Sequence, residues 1–417
     1  MLEQFIKNRI IANLSFVPNE GQHELLDKLS RFVVSSDRQK AFILLGYAGT
    51  GKTSIIAALV QAYKELQQKI VLLAPTGRAA KVISRYASTP AYTIHKYIYR
   101  QKQLGEAVFT LNDNLHKNTL FIVDEASMIS GVRDNTMFGS GTLLDDLVKY
   151  VYSGEGCSML LLGDDAQLPP VGSLISPALQ SDYMQKYGLH VTCSILTEVA
   201  RQAMDSGILR NASKIRPVAL GEGQIPHSTW DLLQESSDFI HITGAEVSEK
   251  LEQSYNEVGV EEVMLLTRTN KRTNIYNQGI RTRILWREEE IETGDRLMVS
   301  KNNYFWTEKY DGLPFLANGD ILEIKRLRNV RELYGFRFAD AQLRSLDYDW
   351  EIDAVVWLDT IYSDSPEANN ELHKQLFEHI AEDYPELAKS KKKLIETIYQ
   401  SPYYNALQMR FAYAVTG

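Results

Sequence analysis

The sequence contains little cysteine and no long apolar run. Its 417 residues include 2 cysteines, Cys157 and Cys193, which are too few for a disulfide framework and lack the Cys-x-x-Cys spacing of a structural zinc site. No stretch approaches the roughly 18 consecutive apolar residues that a membrane-spanning helix requires, and the N-terminus has no small-residue cleavage site. We therefore expect a cytoplasmic protein that is neither secreted nor embedded in a membrane.

Positive charge is also in deficit. The 45 Lys and Arg residues against 53 Asp and Glu residues give a formal net charge of −8. Proteins that coat duplex nucleic acid are usually basic, so any nucleic-acid partner of this chain would have to bind in a local groove. The length predicts roughly two to four domains at about 150 residues each. Hydrophobic residues make up 44% of the chain, which is enough to form folded cores.

Short, continuously apolar runs alternate with helical stretches in the first half of the chain. They lie at residues 41–45, 70–74, 120–123 and 159–162. Strands of this kind are buried on both faces, which is typical of a parallel sheet covered by helices. We expect a first α/β domain over residues 1–200. A Tyr- and Gln-rich break at 98–116 predicts a small inserted hairpin, in which Phe109 is a candidate strand-separating wedge or, equally, a hairpin packing residue.

The second half indicates another α/β sheet, interrupted by a small β-barrel. Apolar runs at 239–242, 263–267 and 411–415 predict strands, and the patterns at 247–258 and 274–285 predict helices. Over residues 294–358 the predicted strands are short, alternate apolar with polar residues and are separated by turns, which is typical of a small barrel. Residues 365–399 predict charged helices. The expected second sheet domain therefore covers 201–293 and 403–417, with the barrel and the helical segment inserted over 294–402.

Residues Gly46–Thr53 match the phosphate-binding pattern G-x-x-x-x-G-K-[ST]. The match lies directly after a predicted strand and before a helix, which is where the mechanism requires it. Lys52 would supply a positive charge to the β- and γ-phosphates, and the Thr53 hydroxyl would bind Mg²⁺. The pattern predicts ATP and Mg²⁺ as cofactors, with the phosphates surrounded by the backbone of Gly46, Ala48, Gly49, Thr50 and Gly51.

Polar side chains follow two further apolar runs. Asp124 comes directly after the run 120–123 and would hold the metal through water, while Glu125 would accept a proton from the attacking water or orient it. Gln167 follows the run 159–162 and would contact the γ-phosphate or the water; the alternative is a plain turn glutamine. Open parallel sheets bind ligands at the carboxyl ends of their strands, so we expect these groups to share one crevice.

The order of these motifs resembles that of superfamily 1 DNA helicases of the RecD-like, Dda-like group, which move 5′ to 3′ along single-stranded DNA. Pro18–Gln22 resembles the segment whose glutamine, here Gln22, contacts adenine. Leu196–Gln202 resembles the segment that carries an arginine finger, which would be Arg201. The resemblance implies an α/β fold of two RecA-like parallel-sheet P-loop motor domains, with a small hairpin insertion and an SH3-like β-barrel insertion.

Two more segments resemble motifs that contact the DNA strand in that group. They are Ala74–Ala80 and Tyr92–His95, and the contacts they imply are Pro75, Thr76, Gly77, Thr93 and His95. Independently, residues 267–287 contain six cations and no acid, with Tyr276 and Trp286 interleaved. A surface that follows the DNA phosphates and stacks on the bases requires this mixture of cations and aromatic residues. The alternative is a helix with a solvated basic face. Candidate contacts in this segment are Arg268, Asn270 and Lys271.

The resemblance also concerns the end of the chain. In the helicase group, the strand that resembles Phe411–Thr416 continues into a His-Lys-x-Gln-Gly motif and then into a motif with a further arginine finger, whereas this sequence stops at Gly417. The expected second motor domain is therefore incomplete. The expected function is an ATP-dependent, 5′-to-3′ DNA helicase or translocase that acts as a monomer on single-stranded DNA and duplex junctions. The alternative is an ATP-gated single-stranded-DNA-binding protein with weak or no motor activity.

Overall fold

The computed structural model describes most of the chain in two compact units, one within Met1–His241 and one within Ile242–Gly417. No helix of the described residues is long and apolar enough to cross a membrane. The described residues are 1–101, 109–132, 139–140, 142–167, 169–170, 173, 175–198, 206–219, 233–307, 310, 316–346, 350–363, 366–387 and 390–416.

The first unit is built on a 6-stranded parallel sheet. Its strands and those of a small hairpin are β1 (Lys40–Gly46), β2 (Lys69–Ala74), β3 (Ala91–Thr93), β4 (Tyr99–Gln101), β5 (Phe109–Leu111), β6 (Thr119–Val123), β7 (Ser158–Gly163) and β8 (His190–Leu196). The spatial order of the sheet is β3-β2-β6-β7-β1-β8. Every residue of β6 and β7 is buried, so the sheet predicted from the apolar runs is confirmed.

Helices cover both faces of this sheet. They are α1 (Leu2–Ala12), α2 (Glu20–Val34), α3 (Lys52–Glu65), α4 (Gly77–Ala87), α5 (Ile94–Ile98), α6 (Leu143–Ser153) and α7 (Ser181–Gln185), and a further helix of this unit is α8 (Gly207–Ala219). Side chains alternate across a strand, so Phe42 and Leu44 pack with α1 to α4 whereas Ile43 packs with α5 to α7. Two apolar clusters therefore hold β1, and with it the start of the phosphate loop, from opposite sides.

The predicted hairpin is formed by β4 and β5, which pair antiparallel from Tyr99↔Leu111 to Gln101↔Phe109. The segment between these strands lies outside the described residues. The side chain of Phe109 also lies outside them, and its action as a wedge stays a prediction.

The second unit contains a closed barrel with the strand order β10-β11-β12-β13-β14. The strands of this unit are β9 (Leu265–Thr267), β10 (Arg296–Val299), β11 (Ile321–Leu333), β12 (Phe336–Ser345), β13 (Glu351–Trp357), β14 (Leu407–Phe411) and β15 (Ala414–Thr416). Its helices are α9 (Val247–Val258), α10 (Asn270–Gly279), α11 (Pro366–Glu382) and α12 (Lys391–Tyr399). The barrel and the helices expected from the sequence are present.

The end of the chain differs from the sequence prediction. Residues 411–415 do not form one strand, because β14 ends at Phe411 and β15 begins at Ala414. Strand β14 pairs with β10 and β13 and so closes the barrel, although the sequence placed 403–417 in the second sheet domain. Closure leaves the barrel without an open edge. Strand β15 pairs with β9 in a 2-stranded parallel sheet.

The apolar run 239–242 is not a strand, which corrects a second expectation. Phe239 makes an isolated bridge to Ser236, and the residues that follow have no regular structure. The side chains of Ile240 and Ile242 are 61% and 43% exposed. Among the described residues, the second parallel sheet therefore consists of β9 and β15.

A buried ion pair connects the barrel of the second unit to its small sheet. Asp295, which directly precedes β10, is fully buried, and its carboxylate accepts hydrogen bonds from Arg281 Nε and Nη2 at 2.9 and 2.8 Å. The Tyr413 hydroxyl, between β14 and β15, donates to the same carboxylate at 2.9 Å. Arg281 is itself only 3% exposed. A buried charge of this kind depends on its partner, because water cannot replace it.

We expect Asp295→Ala to lower the free energy of unfolding by about 3–5 kcal/mol, because it removes the buried carboxylate that accepts two hydrogen bonds from the Arg281 guanidinium. The matched control is Glu290→Ala, which removes a carboxylate paired with Arg337 where both side chains are 42% exposed. Exposed pairs contribute about 0–1 kcal/mol. Urea unfolding of the two variants measures the difference, and equal losses in both would contradict the role given to Asp295.

Candidate nucleotide site

The phosphate loop joins β1 to α3 and requires glycine at defined positions. Gly49 and Gly51 have φ angles of +79° and +87°, in the left-handed region that favours glycine. A Cβ at Gly51 would lie 2.9 Å from Gln22 Nε2, and one at Gly46 would lie 2.9 Å from Lys52 Cγ. Thr50 is fully buried and donates its hydroxyl to the Tyr47 carbonyl at 2.7 Å. The loop is thus tightly folded at the N-terminus of α3, where backbone N–H groups favour anions.

Lys52 is the first residue of α3, and its ammonium group lies within the loop. Its Nζ donates to the Gly46 carbonyl and, at 3.4 Å, to the Tyr47 carbonyl. Burial lowers the pKa of Lys52, while the charges of Asp164, Glu125 and Asp124 act in the opposite direction. The ammonium group therefore already interacts with the carboxylates that the sequence assigned to metal binding and proton transfer.

Asp124 and Glu125 continue from β6 at the carboxyl edge of the sheet. The Asp124 N–H donates to the Leu73 carbonyl at 2.9 Å, and the Asp124 carboxylate accepts the Glu125 N–H at 2.9 Å. Glu125 has a φ of +50°, an uncommon conformation for a residue with a side chain. Burial raises the pKa of both carboxyl groups. A raised carboxyl pKa brings the group closer to the range in which it can accept a proton from water.

Strand β7 lies between β1 and β6, so the phosphate loop and the two carboxylates do not start from adjacent strands. Neighbouring strands are about 4.8 Å apart, which places the backbones of β1 and β6 about 10 Å apart. The end of β7 carries Asp164, which is 5% exposed and accepts the Ala166 N–H at 3.0 Å. Gln167 follows and is exposed. Sequence reasoning missed Asp164, although it follows an apolar strand just as Asp124 does.

The residues present fit a magnesium ion bound together with nucleotide. The half-buried Thr53 hydroxyl and the Asp124 carboxylate are the oxygen ligands that Mg²⁺ prefers. Among the described residues, no group of three or more His, Cys, Asp or Glu side chains could hold a metal. Mg²⁺ commonly uses one or two protein ligands and takes the rest from water and phosphate, so this sparse set is sufficient.

Gln22 contacts the phosphate loop directly. Its Nε2 donates to the Thr50 carbonyl at 3.0 Å, and its side-chain oxygen accepts the Asn19 N–H at 3.0 Å. The second bond belongs to a capping box at the start of α2, in which Asn19 accepts the Gln22 N–H at 2.8 Å. Gln22 is 3% exposed. The structure therefore joins this residue to the loop, and its contact with adenine stays a prediction.

The arginine found beside the loop is not the one that the sequence indicated. Arg201 lies outside the described residues, and its role as an arginine finger stays a prediction. Arg216 of α8 places its guanidinium carbon 3.6 Å from the ring centroid of Tyr47, the second residue of the loop. No pattern in the sequence marks Arg216, because α8 is remote from the loop along the chain.

The candidate DNA contacts of the first unit lie where β2 and β3 end. The Thr76 hydroxyl caps α4 by accepting the Ala79 N–H at 3.2 Å, and the Thr93 hydroxyl caps α5 by accepting the Lys96 N–H at 3.3 Å. Pro75 and Gly77 flank the first of these caps. His95 is half-buried, and burial lowers its pKa. Two helix N-termini thus begin at the carboxyl edge of the sheet, where their positive ends favour phosphate groups.

The second unit repeats this local arrangement at α10, which Thr269 caps by accepting the Arg272 N–H at 3.3 Å. Arg268 and Lys271 are exposed at this helix start, and Asn270 is half-buried. The expected run of six cations is nevertheless divided. Arg281 is buried and Arg287 is half-buried, and both pair with Asp295, at 2.8 and 3.4 Å, whereas Arg283 between them is exposed.

Comparison with known proteins adds a family match and several relatives. The family model described as AAA domain matches residues 18–241. Uncharacterized protein R530 of Acanthamoeba polyphaga mimivirus is 26% identical over 438 residues, covering 92% of this chain and 83% of that protein. The ATP-dependent RecD2 DNA helicase of Deinococcus radiodurans is 28% identical over 203 residues, covering 46% of this chain and 23% of that protein. ATP-dependent DNA helicase dda of Enterobacteria phage T4 is 24% identical over 326 residues, covering 73% of this chain and 66% of that protein.

These matches bear on the resemblance seen in the motifs. RecD2 and Dda helicases are among the relatives, so the predicted similarity to the RecD-like, Dda-like group is confirmed. The chain spans less than a quarter of the RecD2 protein and about two thirds of the Dda protein.

We expect Lys52→Ala to lower the ATP hydrolysis rate by at least roughly a hundredfold, because it removes the cation that faces the phosphates. Glu125→Gln should lose hydrolysis and keep nucleotide binding, since it removes only the proton acceptor. Lys64→Ala, at the exposed end of the same helix, is the control. Phosphate release with oligo-dT and fluorescent-nucleotide binding measure both properties, and wild-type hydrolysis by Lys52→Ala would disprove the site.

Proposed function

The chain belongs to the AAA domain family, and from that premise we propose that it is an ATP-dependent DNA helicase that moves 5′ to 3′ on single-stranded DNA. One observation carries the proposal: a phosphate loop after β1 and the Asp124–Glu125 pair after β6 lie on one parallel sheet, with Asp164 between them. This arrangement supports hydrolysis of a nucleoside triphosphate. The named helicase relatives support DNA as the partner.

The chain's own groups divide the work of hydrolysis. The backbone N–H groups of the loop and the Lys52 ammonium bind and orient the phosphates, and the Glu125 carboxylate accepts a proton from the attacking water. Bound Mg²⁺ would neutralise charge that develops on the phosphate oxygens. Thr53 and Asp124 would hold this ion. Gln167, exposed at the end of β7, would orient the water or the γ-phosphate.

We propose that single-stranded DNA is held at the helix starts of both units. In the first unit, the contacts are Pro75, Thr76, Gly77, Thr93 and His95. In the second unit, they are Arg268, Asn270 and Lys271. The capped N-termini of α4 and α10 favour phosphates in the same way, so the contacts would track the DNA backbone and depend little on base sequence.

The architecture that accompanies this function is a pair of RecA-like motor domains. The second would be formed by β9, β15, α9 and α10, with an SH3-like barrel from β10 to β14. Duplex junctions would be the substrate, with Phe109 as the wedge and Arg201 as an arginine finger. A monomeric state, a cytoplasmic location and 5′-to-3′ polarity belong to the same proposal, and the last is supported by the resemblance to the RecD-like group.

We expect a partial duplex with a 5′ single-stranded tail to be unwound in the presence of ATP and Mg²⁺, and one with a 3′ tail to remain annealed. A fluorescence unwinding assay on matched duplexes measures the difference, with Lys52→Ala as the inactive control. Preference for the 3′ tail would refute the polarity. Binding of nucleotide and DNA without unwinding or hydrolysis would instead favour an ATP-gated single-stranded-DNA-binding protein.

We also expect affinity for oligo-dT to fall as salt increases, because phosphates dominate the contact. Arg268→Ala and Lys271→Ala should each reduce the slope of log K against log salt by about 0.7, the value for one phosphate of a single strand. Lys117→Ala is the matched control, since this exposed lysine pairs with Glu155 and precedes β6 at the opposite edge of the sheet. Fluorescence anisotropy provides the slopes, and unchanged slopes in both variants would exclude these contacts.

A further inference from the structure

Arg216 is a cation that lies beside the phosphate loop. Neither the sequence motifs nor the proposed chemistry gives this residue a role. Its guanidinium carbon lies 3.6 Å from the centroid of the Tyr47 ring, which is close contact for a cation over an aromatic face. Arg216 is half-buried, and it lies on α8 in the same unit as the loop. The contact therefore brings a permanently charged side chain to the loop from a remote part of the sequence.

Tyr47 is a fixed part of the loop rather than a loose surface ring. Its carbonyl accepts hydrogen bonds from the Thr50 N–H at 3.3 Å, from the Thr50 hydroxyl at 2.7 Å and from Lys52 Nζ at 3.4 Å. Its own N–H donates to the Leu196 carbonyl at 3.4 Å. These hydrogen bonds hold the backbone of Tyr47 against the residues that would surround the phosphates.

Lys52 and Arg216 lie on the same loop residue. The Lys52 ammonium donates to the Tyr47 carbonyl at 3.4 Å, and the Arg216 guanidinium lies over the Tyr47 ring. A nucleoside triphosphate brings several negative charges to this loop, which arginine can meet with paired hydrogen bonds to phosphate oxygens.

We propose that Arg216 is a nucleotide-binding residue that contacts the γ-phosphate of the bound triphosphate together with Lys52, and that Tyr47 positions its guanidinium for this contact. The inference rests on the proposed ATPase function and adds a residue to its site. Since α8 and the loop belong to one unit, the contact forms within that unit. The γ-phosphate is the target because Tyr47, over which Arg216 lies, also accepts a hydrogen bond from Lys52, the loop residue expected to contact the terminal phosphates.

Hydrogen bonds that do not involve Arg216 hold α8 to the segment that precedes residue 239. Asn211 Nδ2 donates to the Gln234 carbonyl at 2.8 Å, and the Gln234 N–H donates to the Asn211 side-chain oxygen at 2.9 Å. At the start of the helix, the Asp238 carboxylate accepts the Gly207 N–H at 2.9 Å and the Ser206 hydroxyl at 2.7 Å. Truncation of Arg216 leaves these four bonds intact.

We expect Arg216→Ala to weaken binding of a fluorescent, non-hydrolysable ATP analogue by about ten- to a hundredfold, as for the loss of a charged hydrogen bond. Binding of fluorescent ADP should weaken by less than about threefold, because ADP lacks the terminal phosphate. Tyr47→Leu removes the aromatic face and should weaken the ATP analogue by roughly tenfold or less. Tyr47→Phe keeps the ring and should bind as the wild type does.

Arg210→Ala is the matched control, because Arg210 is an exposed arginine of the same helix. Equal binding of the ATP analogue by Arg216→Ala and Arg210→Ala would overturn the inference. Equal losses for ADP and the ATP analogue would also overturn it, since they would place the arginine away from the terminal phosphate. In both cases, the proposed function would stand if the wild-type protein hydrolyses ATP and Lys52→Ala does not. Absence of hydrolysis in the wild type with oligo-dT would instead reject the proposed function.

Discussion

The burial of strands β6 and β7 on both faces is the constraint on which the site of the first unit depends. The Lys52 ammonium is held within the phosphate loop, and the charges of Asp124, Glu125 and Asp164, which follow β6 and β7, act on it. Because these strands are buried on both faces, their ends are fixed by the core rather than by the polar groups themselves. The apolar sheet thus determines where the charged groups meet.

The order of the strands leaves space for a nucleotide between the phosphate loop and the carboxylates. With β7 between β1 and β6, the loop and the Asp124–Glu125 pair are separated by two strand spacings, about 10 Å, which leaves room for phosphate, metal and water. Gln22 and Thr50 fix the loop from the side of α2, and Arg216 contacts it through Tyr47. The second unit has a separate constraint, the buried Arg281–Asp295 pair, which joins the start of β10 to the helical turn after α10 and to Tyr413, the residue before β15.

The sequence was most informative where local chemistry and burial coincide. Continuous apolar runs identified β1, β2, β6 and β7, and the glycine and lysine spacing identified the loop, because both patterns act over a few residues. The run 239–242 was misleading, since an apolar composition does not specify a partner strand, and both isoleucines in it are exposed. The same limitation applies to β14, whose apolar residues indicated burial and not that they close the barrel.

Charged residues were the hardest to interpret from the sequence. A count of cations between Arg268 and Arg287 could not distinguish the exposed start of α10 from Arg281, whose charge is neutralised inside the unit by Asp295. Arg216 was missed for a related reason, since a long-range contact brings it to the loop, whereas Asp164 follows an apolar strand just as Asp124 does and had a local signal. Burial and tertiary pairing, rather than residue type, decide whether a charge serves the site or the fold.

The central claim is that this site hydrolyses ATP in response to DNA. The most direct measurement is the steady-state hydrolysis rate of the wild-type chain and of Glu125→Gln, as oligo-dT is added up to saturation of DNA binding. The account predicts a wild-type rate that rises with DNA occupancy and a Glu125→Gln rate that stays at background while DNA binding persists. A wild-type rate that does not change between DNA-free and DNA-saturated protein would contradict it.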